Sequence, residues 1–195
     1  MKKKTQAFSF IEVLIVVAII GLVTAYGLPA MKAFQVNTGL TTNTNDLVTS
    51  LQMARSASIR LQGRVVVCAS TTSMTDDPNC STSANWHDGW IVFHDKNDNA
   101  IIDAGPLGAD VVLRVQSGVV MPGLTIVPEA LGGTPTNIGH YISFGPPAGE
   151  PALIGGENQS GIFKLCSDQD LSRVRGVVVH FSGRISSTRD NIACS

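Results

Sequence analysis

The sequence predicts an α+β protein in which a long N-terminal helix packs on an antiparallel, β-rich head. Residues 13–31 contain no charged side chain, which suits a helix that crosses a membrane. Beyond them, apolar residues recur at the spacing of one helix face, and from residue 64 onward short runs rich in β-branched residues alternate with turn residues. The part after the helix, about 130 residues, suits one globular domain.

The apolar segment, residues 8–31, follows three lysines and contains one carboxylate, Glu12. A basic start before an apolar run also fits a secretory signal peptide, or a plain membrane anchor with a cytoplasmic N-terminus. Neither interpretation explains Glu12, because an ionised side chain inside a membrane costs about 2.5 to 3.5 kcal/mol on insertion scales. We therefore expect Glu12 to have a partner and a function.

The order of the lysines, Ala7, Phe8, Glu12 and Pro29 resembles the class III leader and N-terminal helix of type IV pilins and type II secretion pseudopilins. The resemblance implies that a prepilin peptidase cleaves between Ala7 and Phe8 and that Phe8 is then N-methylated. It also implies that Glu12 meets the Phe8 amine of a neighbouring subunit in a filament. Ala7 departs from the family, which usually has Gly there. Pro29 matches a proline that commonly interrupts such helices, and it removes a backbone donor.

Three parts are predicted along the chain: a leader at 1–7, a helix at 8–62 and a head at 63–195. The helix divides into a transmembrane half, 8–31, and an amphipathic half, 32–62. One face of the second half carries residues at spacings of seven, four, three, four and three, namely Leu40, Leu47, Leu51, Ala54, Ser58 and Leu61. We expect this face to pack on the head. The Asn-Thr-Gly patch at 37–39 weakens the helix locally.

The head is predicted as an antiparallel sheet with strands at 64–69, 89–94, 111–116, 124–127, 141–144, 162–166 and 175–181. Gly and Pro predict loops at 132–135, 145–151 and 155–161. The order of several short motifs resembles the GspH/FimT group of pilin-like proteins, at residues 51–57, 64–68, 86–99, 112–114, 144–145 and 181–184. This resemblance covers nearly the whole chain and implies a type IV pilin-like fold.

Four cysteines, all beyond the membrane segment, predict disulfides formed in an oxidising compartment. No CxxC pair or spaced histidine set favours a metal site instead. Three pairings are open to four cysteines. We favour Cys68 with Cys80 and Cys166 with Cys194, because these close local loops and the second would hold the C-terminal tail.

A calcium loop is the one metal site that the sequence suggests, and its pattern is incomplete. Asp95, Asn97 and Asn99 alternate as at the start of such a loop. Ala100 stands where the turn glycine belongs, however, and Pro106 stands where the bidentate Glu belongs. A solvated turn is therefore the favoured interpretation.

No motif predicts catalysis. The histidines are scattered, and no Gly-rich phosphate loop or nucleophile elbow is found. Trp86 and Trp90 are interpreted as core or cross-strand residues of the sheet. We expect neither an enzyme nor a cofactor or metal.

Charge is unevenly distributed along the chain. Without the leader lysines, eleven basic residues face fifteen acidic ones, a net charge of −4, which excludes a generally basic surface. Residues 164–195 are nevertheless rich in arginine. Some FimT-like minor pilins bind DNA through a Gly-Arg-x-Arg turn, and Gly183-Arg184-Ile185-Ser186 keeps the first arginine, with Arg189 as a substitute for the second. The favoured alternative is a hairpin turn at 182–183 with solvated arginines.

These expectations together favour a minor type IV pilin that inserts in the inner membrane, is processed by prepilin peptidase and takes part in pilus assembly or initiation. The alternatives are a type II secretion pseudopilin of the H type and a DNA-binding minor pilin of natural transformation. The expected topology is single-pass, with a cytoplasmic N-terminus and a periplasmic head. Expected partners are other minor and major pilins through the helix, the peptidase, the inner-membrane assembly platform and, on weaker grounds, DNA.

Overall fold

The computed structural model describes residues 9–103, 109–119, 121–129, 138–189 and 193–194, with the side chains of all of these except residues 27–30. A single helix, α1 (Phe10–Leu61), comprises 52 residues. It is therefore about 78 Å long. The helix ends where Gln62 adopts the left-handed conformation (φ 52°) and its backbone N–H donates to the carbonyl of Ser58.

Nine strands follow the helix in chain order. They are β1 (Arg64–Ala69), β2 (Gly89–Asp95), β3 (Val111–Ser117), β4 (Leu124–Glu129), β5 (Tyr141–Gly145), β6 (Glu150–Pro151), β7 (Gly161–Ser167), β8 (Arg175–Val179) and β9 (Ile185–Thr188).

The strands form two antiparallel sheets. Sheet A has the order β3-β2-β1-β5-β6 and sheet B the order β4-β7-β8-β9. All seven predicted strands are present, but the expectation of one sheet is wrong. Two further strands were not predicted: β6 lies within the predicted loop 145–151, and β9 follows Gly183. The last predicted strand ends at Val179, before His180 and Phe181.

The main core lies between α1 and the inner faces of both sheets. Five of the six residues of the predicted helix face are buried, whereas Leu61 is 36% exposed because the helix ends there. The indole N–H of Trp90 donates to Ser50 Oγ on the helix at 2.9 Å, and that of Trp86 donates to the carbonyl of Gly139 at 2.8 Å. The two tryptophans are thus core residues, as predicted.

Candidate functional site

The N-terminal half of α1 is apolar and is not covered by the head. Its side chains are exposed from Phe10 to Tyr26. This stretch is long and apolar enough to cross a membrane, and none of its most apolar window is buried. Because so many exposed apolar side chains are unfavourable in water, this half of the helix requires lipid or other helices around it.

Glu12 lies in the first turn of this helix, three residues after the N-cap residue Ser9. The backbone N–H of Glu12 donates to the carbonyl of Ser9 at 3.0 Å, and the carboxylate side chain is exposed. The exposed amides of a helix N-terminus favour a negative charge at this position. Ala7 and Phe8, the predicted processing residues, lie outside the described residues.

The helix continues without interruption through both positions that the sequence marks as weak. Its backbone remains helical at Pro29. At the patch 37–39, Thr41 Oγ1 donates to the carbonyl of Asn37 at 2.7 Å and Asn43 Nδ2 to that of Gly39 at 2.8 Å. Packing also favours glycine at position 39, since a Cβ at Gly39 would lie 2.6 Å from Met121 Sδ.

Both favoured disulfides are present in the structure. Cys68 on β1 is bonded to Cys80 in the following loop, and Cys166 on β7 is bonded to Cys194 near the C-terminus. The second bond attaches the tail to β7, an inner strand of sheet B. Neither cysteine pair contributes a free thiol, and no free cysteine is found in the described part of the chain.

The loop after β2, which resembles the start of a calcium loop, is held together by its own hydrogen bonds. Asp95 is buried and accepts from the backbone N–H groups of Asn99 and Ala100, at 3.2 and 2.8 Å. The amides of Asn97 and Asn99 both donate to Asp103 Oδ2 at 2.7 Å. These carboxylates therefore already accept hydrogen bonds within the loop. Within the described ranges, no group of three or more His, Cys, Asp or Glu residues is placed to hold a metal ion. Pro106 lies outside them.

The arginines proposed for DNA, Arg184 and Arg189, are both exposed but lie at opposite ends of β9. Five residues of extended chain separate them, or about 16 Å. The turn between β8 and β9 is tight, with the N–H of Gly183 donating to the carbonyl of His180 at 2.8 Å. Arg184 Nη2 lies 3.3 Å from His180 Nε2. The structure thus has the predicted hairpin turn and does not bring the two arginines together.

Arg189 instead lies beside Arg175, a residue whose importance the sequence did not reveal. Both line two cavities of about 330 and 270 Å³ between α1 and sheet B. Arg175 Nη2 donates to Asn37 Oδ1 on the helix at 2.9 Å. Burial, and then the charge of Arg189, lower the pKa of the Arg175 guanidinium. The proximity of Arg175 and Arg189 could not be predicted from the sequence, because it depends on β8 and β9 being neighbouring strands.

Comparison with protein families identifies the chain. The model of a family described as "Type II transport protein GspH" matches residues 43–183, more than half of the chain. The chain belongs to the GspH family of pilin-like proteins. A second model, the prokaryotic N-terminal methylation motif, matches residues 2–27. No curated protein sequence matches. This GspH-family member therefore combines a pilin-type N-terminus with a GspH head.

Two solved structures of one minor pilin share this fold. The type IV minor pilin FimU of Pseudomonas aeruginosa PAO1, in one crystal form, has 17% sequence identity and a TM-score of 0.54, with 83% of this chain and 96% of that chain covered. In a second crystal form of FimU the identity is 18% and the TM-score 0.51, with 80% and 97% covered. The minor pseudopilin EpsH of the Vibrio cholerae type 2 secretion system has 10% identity and a TM-score of 0.43, with 78% and 98% covered.

Proposed function

We propose that this GspH-family protein is a minor type IV pilin that joins a filament through the N-terminal half of α1. The observation that carries this proposal is the exposed apolar helix half attached to a separately packed head. Such a helix is stable in a membrane before assembly, and it is equally stable among the helices of a filament. The head then remains outside the helical bundle and contacts neighbouring heads.

Glu12 supplies the register of assembly in this proposal. Prepilin peptidase cleaves before Phe8 on the cytoplasmic face of the inner membrane and creates a new amine four residues before Glu12. An unpaired carboxylate is unfavourable in an apolar bundle, whereas a carboxylate paired with a neighbour's amine is not. The pair therefore favours one axial position of each subunit, and the inner-membrane assembly platform moves the subunit into that position.

Glu12→Ala tests this role. We expect the variant to insert in the membrane as the parent does, because removing a charge favours insertion, and to be incorporated into filaments much less. The measurement is the amount of the full chain in sheared filaments relative to the membrane fraction. Glu157→Ala, which removes an exposed carboxylate of the head, is the matched control and should be incorporated normally. Normal incorporation of Glu12→Ala would refute the role of the carboxylate.

A type II secretion pseudopilin is the second candidate function, and the description of the matching family favours it. The two functions use the same helix and differ in the filament that the subunit joins. A deletion strain scored separately for piliation, protein secretion and DNA uptake distinguishes them. Loss of surface pili with normal secretion supports the pilus. Loss of secretion with normal piliation supports the pseudopilus, and loss of uptake alone supports a DNA-binding subunit.

A further inference from the structure

The two cavities next to α1 are lined by three arginines of the head: Arg173 before β8, Arg175 at its start and Arg189 just after β9. We call this site the basic pocket; it consists of Asn37, Leu40, Thr44, Arg173, Arg175 and Arg189. None of the described residues that line the two cavities is acidic. Arg173 Nε pairs with Asp170 at 2.7 Å, so its charge is largely compensated. Asp168 is the other described carboxylate of the β7–β8 turn.

Arg175 and Arg189 form the positive centre of the basic pocket. The hydrogen bond from Arg175 to Asn37 is made to a neutral amide, so it holds the guanidinium in place without cancelling its charge. Arg189 lines the same two cavities as Arg175, and the two positive charges repel each other. An anion between them would relieve this repulsion and accept hydrogen bonds from both.

The basic pocket lies at the end of the head nearest the membrane. The charge-free stretch of the helix ends at Met31, and Asn37 follows six residues later. Six residues of helix correspond to about 9 Å. The polar headgroup layer extends about 5 to 8 Å beyond the hydrocarbon on each side. Long arginine side chains at this height therefore reach the phosphates of the lipids.

An apolar side chain lies next to these charges. Leu171, in the turn between β7 and β8, is 64% exposed, two residues before Arg173. An apolar side chain beside arginines suits the boundary between headgroups and acyl chains. It has no use in binding free phosphate or the backbone of DNA. The combination therefore favours a membrane surface over other polyanions.

We infer that the basic pocket binds the phosphate of an anionic phospholipid headgroup, through Arg175 and Arg189, while the subunit is anchored in the membrane. This contact holds the head at a fixed height above the bilayer. It is separate from the helix contacts of the filament, and it must be released when the subunit leaves the membrane.

The test uses the full chain in lipid nanodiscs made of phosphatidylcholine, either alone or mixed with phosphatidylglycerol. Hydrogen–deuterium exchange of residues 171–177 and 185–189 is measured in both. We expect exchange to slow by about thirtyfold in the anionic discs, which corresponds to two arginines near an anionic surface. The difference should disappear in R175A/R189A. It should persist in R184A/R60A, which removes two exposed arginines far from the pocket.

Three results would overturn the inference. Equal exchange in neutral and anionic discs would show that no headgroup is bound. Persistence of the difference in R175A/R189A would place the contact elsewhere. If added inorganic phosphate or duplex DNA slowed exchange in neutral discs as strongly as phosphatidylglycerol does, a free anion or DNA would be the ligand. Unchanged exchange of β1 and β2 in the variant excludes unfolding as the cause.

Discussion

Among single residues, Gly183 has the clearest structural requirement. It lies in the turn between β8 and β9 with φ +75°, and a Cβ there would lie 2.3 Å from the carbonyl oxygen of Gly149 and 2.9 Å from Arg55 Nε. Arg55 Nη2 in turn donates to the carbonyl of Ser182 at 3.2 Å. Two turns, one from each sheet, therefore meet at one arginine of the helix.

Gly183→Ala should lower the free energy of unfolding by about 2 kcal/mol or more, because the left-handed backbone disfavours a Cβ and the nearest obstacle is backbone. The measurement is urea unfolding of the full chain in detergent, followed by tryptophan fluorescence, since both tryptophans are buried. Gly139→Ala is the matched control. A Cβ at Gly139 meets nothing within 4 Å, and we expect little change. Equal stability of the two variants would contradict the packing argument.

The arrangement around Gly183 also shows what residue types alone do not reveal. Arg55 lies off the apolar face of the helix that the sequence predicts. In the structure it is half-buried, and its Nε is buried without a hydrogen-bond partner in the described part of the chain. Its surroundings come from turns at residues 149 and 183, far along the chain. Only the tertiary arrangement could place them there.

At the scale of elements, the two disulfides should differ in their contribution to stability. Their cysteines are 12 and 28 residues apart. On the chain-entropy model these separations correspond to about 2.8 and about 3.6 kcal/mol. To isolate the longer loop, unfolding of C68A/C80A is compared with and without reductant; C166A/C194A isolates the shorter one. We expect reductant to destabilise C68A/C80A more. The reverse order would contradict the entropic account.

Local sequence predicted the central strands better than the edges. β1 was predicted with its observed bounds because three of its six residues are consecutive valines, and five of the six are buried in the structure. β6 has only two residues, and β9 is a short run of Ile, Ser and Thr at the edge of sheet B. Neither has the alternation that marks a strand. Missing β9 had a functional consequence, because Arg189 was then proposed as a substitute for the second arginine of the Gly-Arg-x-Arg turn.

At the scale of the whole molecule, one continuous helix connects the membrane half to the head. The height and the rotation of the head relative to Glu12 are therefore both set by the number of helical residues between them. Each added residue raises the head by about 1.5 Å and turns it by about 100°. Binding to a lipid surface depends only on the height of the head, because the surface is uniform within its plane. Contact with a neighbouring subunit in a filament depends on the rotation of the head as well.

Alanine insertions after Lys32 distinguish headgroup binding, which depends on height, from filament incorporation, which depends also on rotation. Two alanines raise the head by about 3 Å and turn it by about 200°, so we expect incorporation into filaments to be lost while exchange at 171–177 remains slow in anionic discs. Seven alanines raise it by about 10 Å but restore its direction to within about 20°, so the slowed exchange should be lost. Exchange and filament incorporation are measured on the same variants. If the two-residue insertion removed the lipid effect, or the seven-residue insertion kept it, height above the bilayer would not govern headgroup binding.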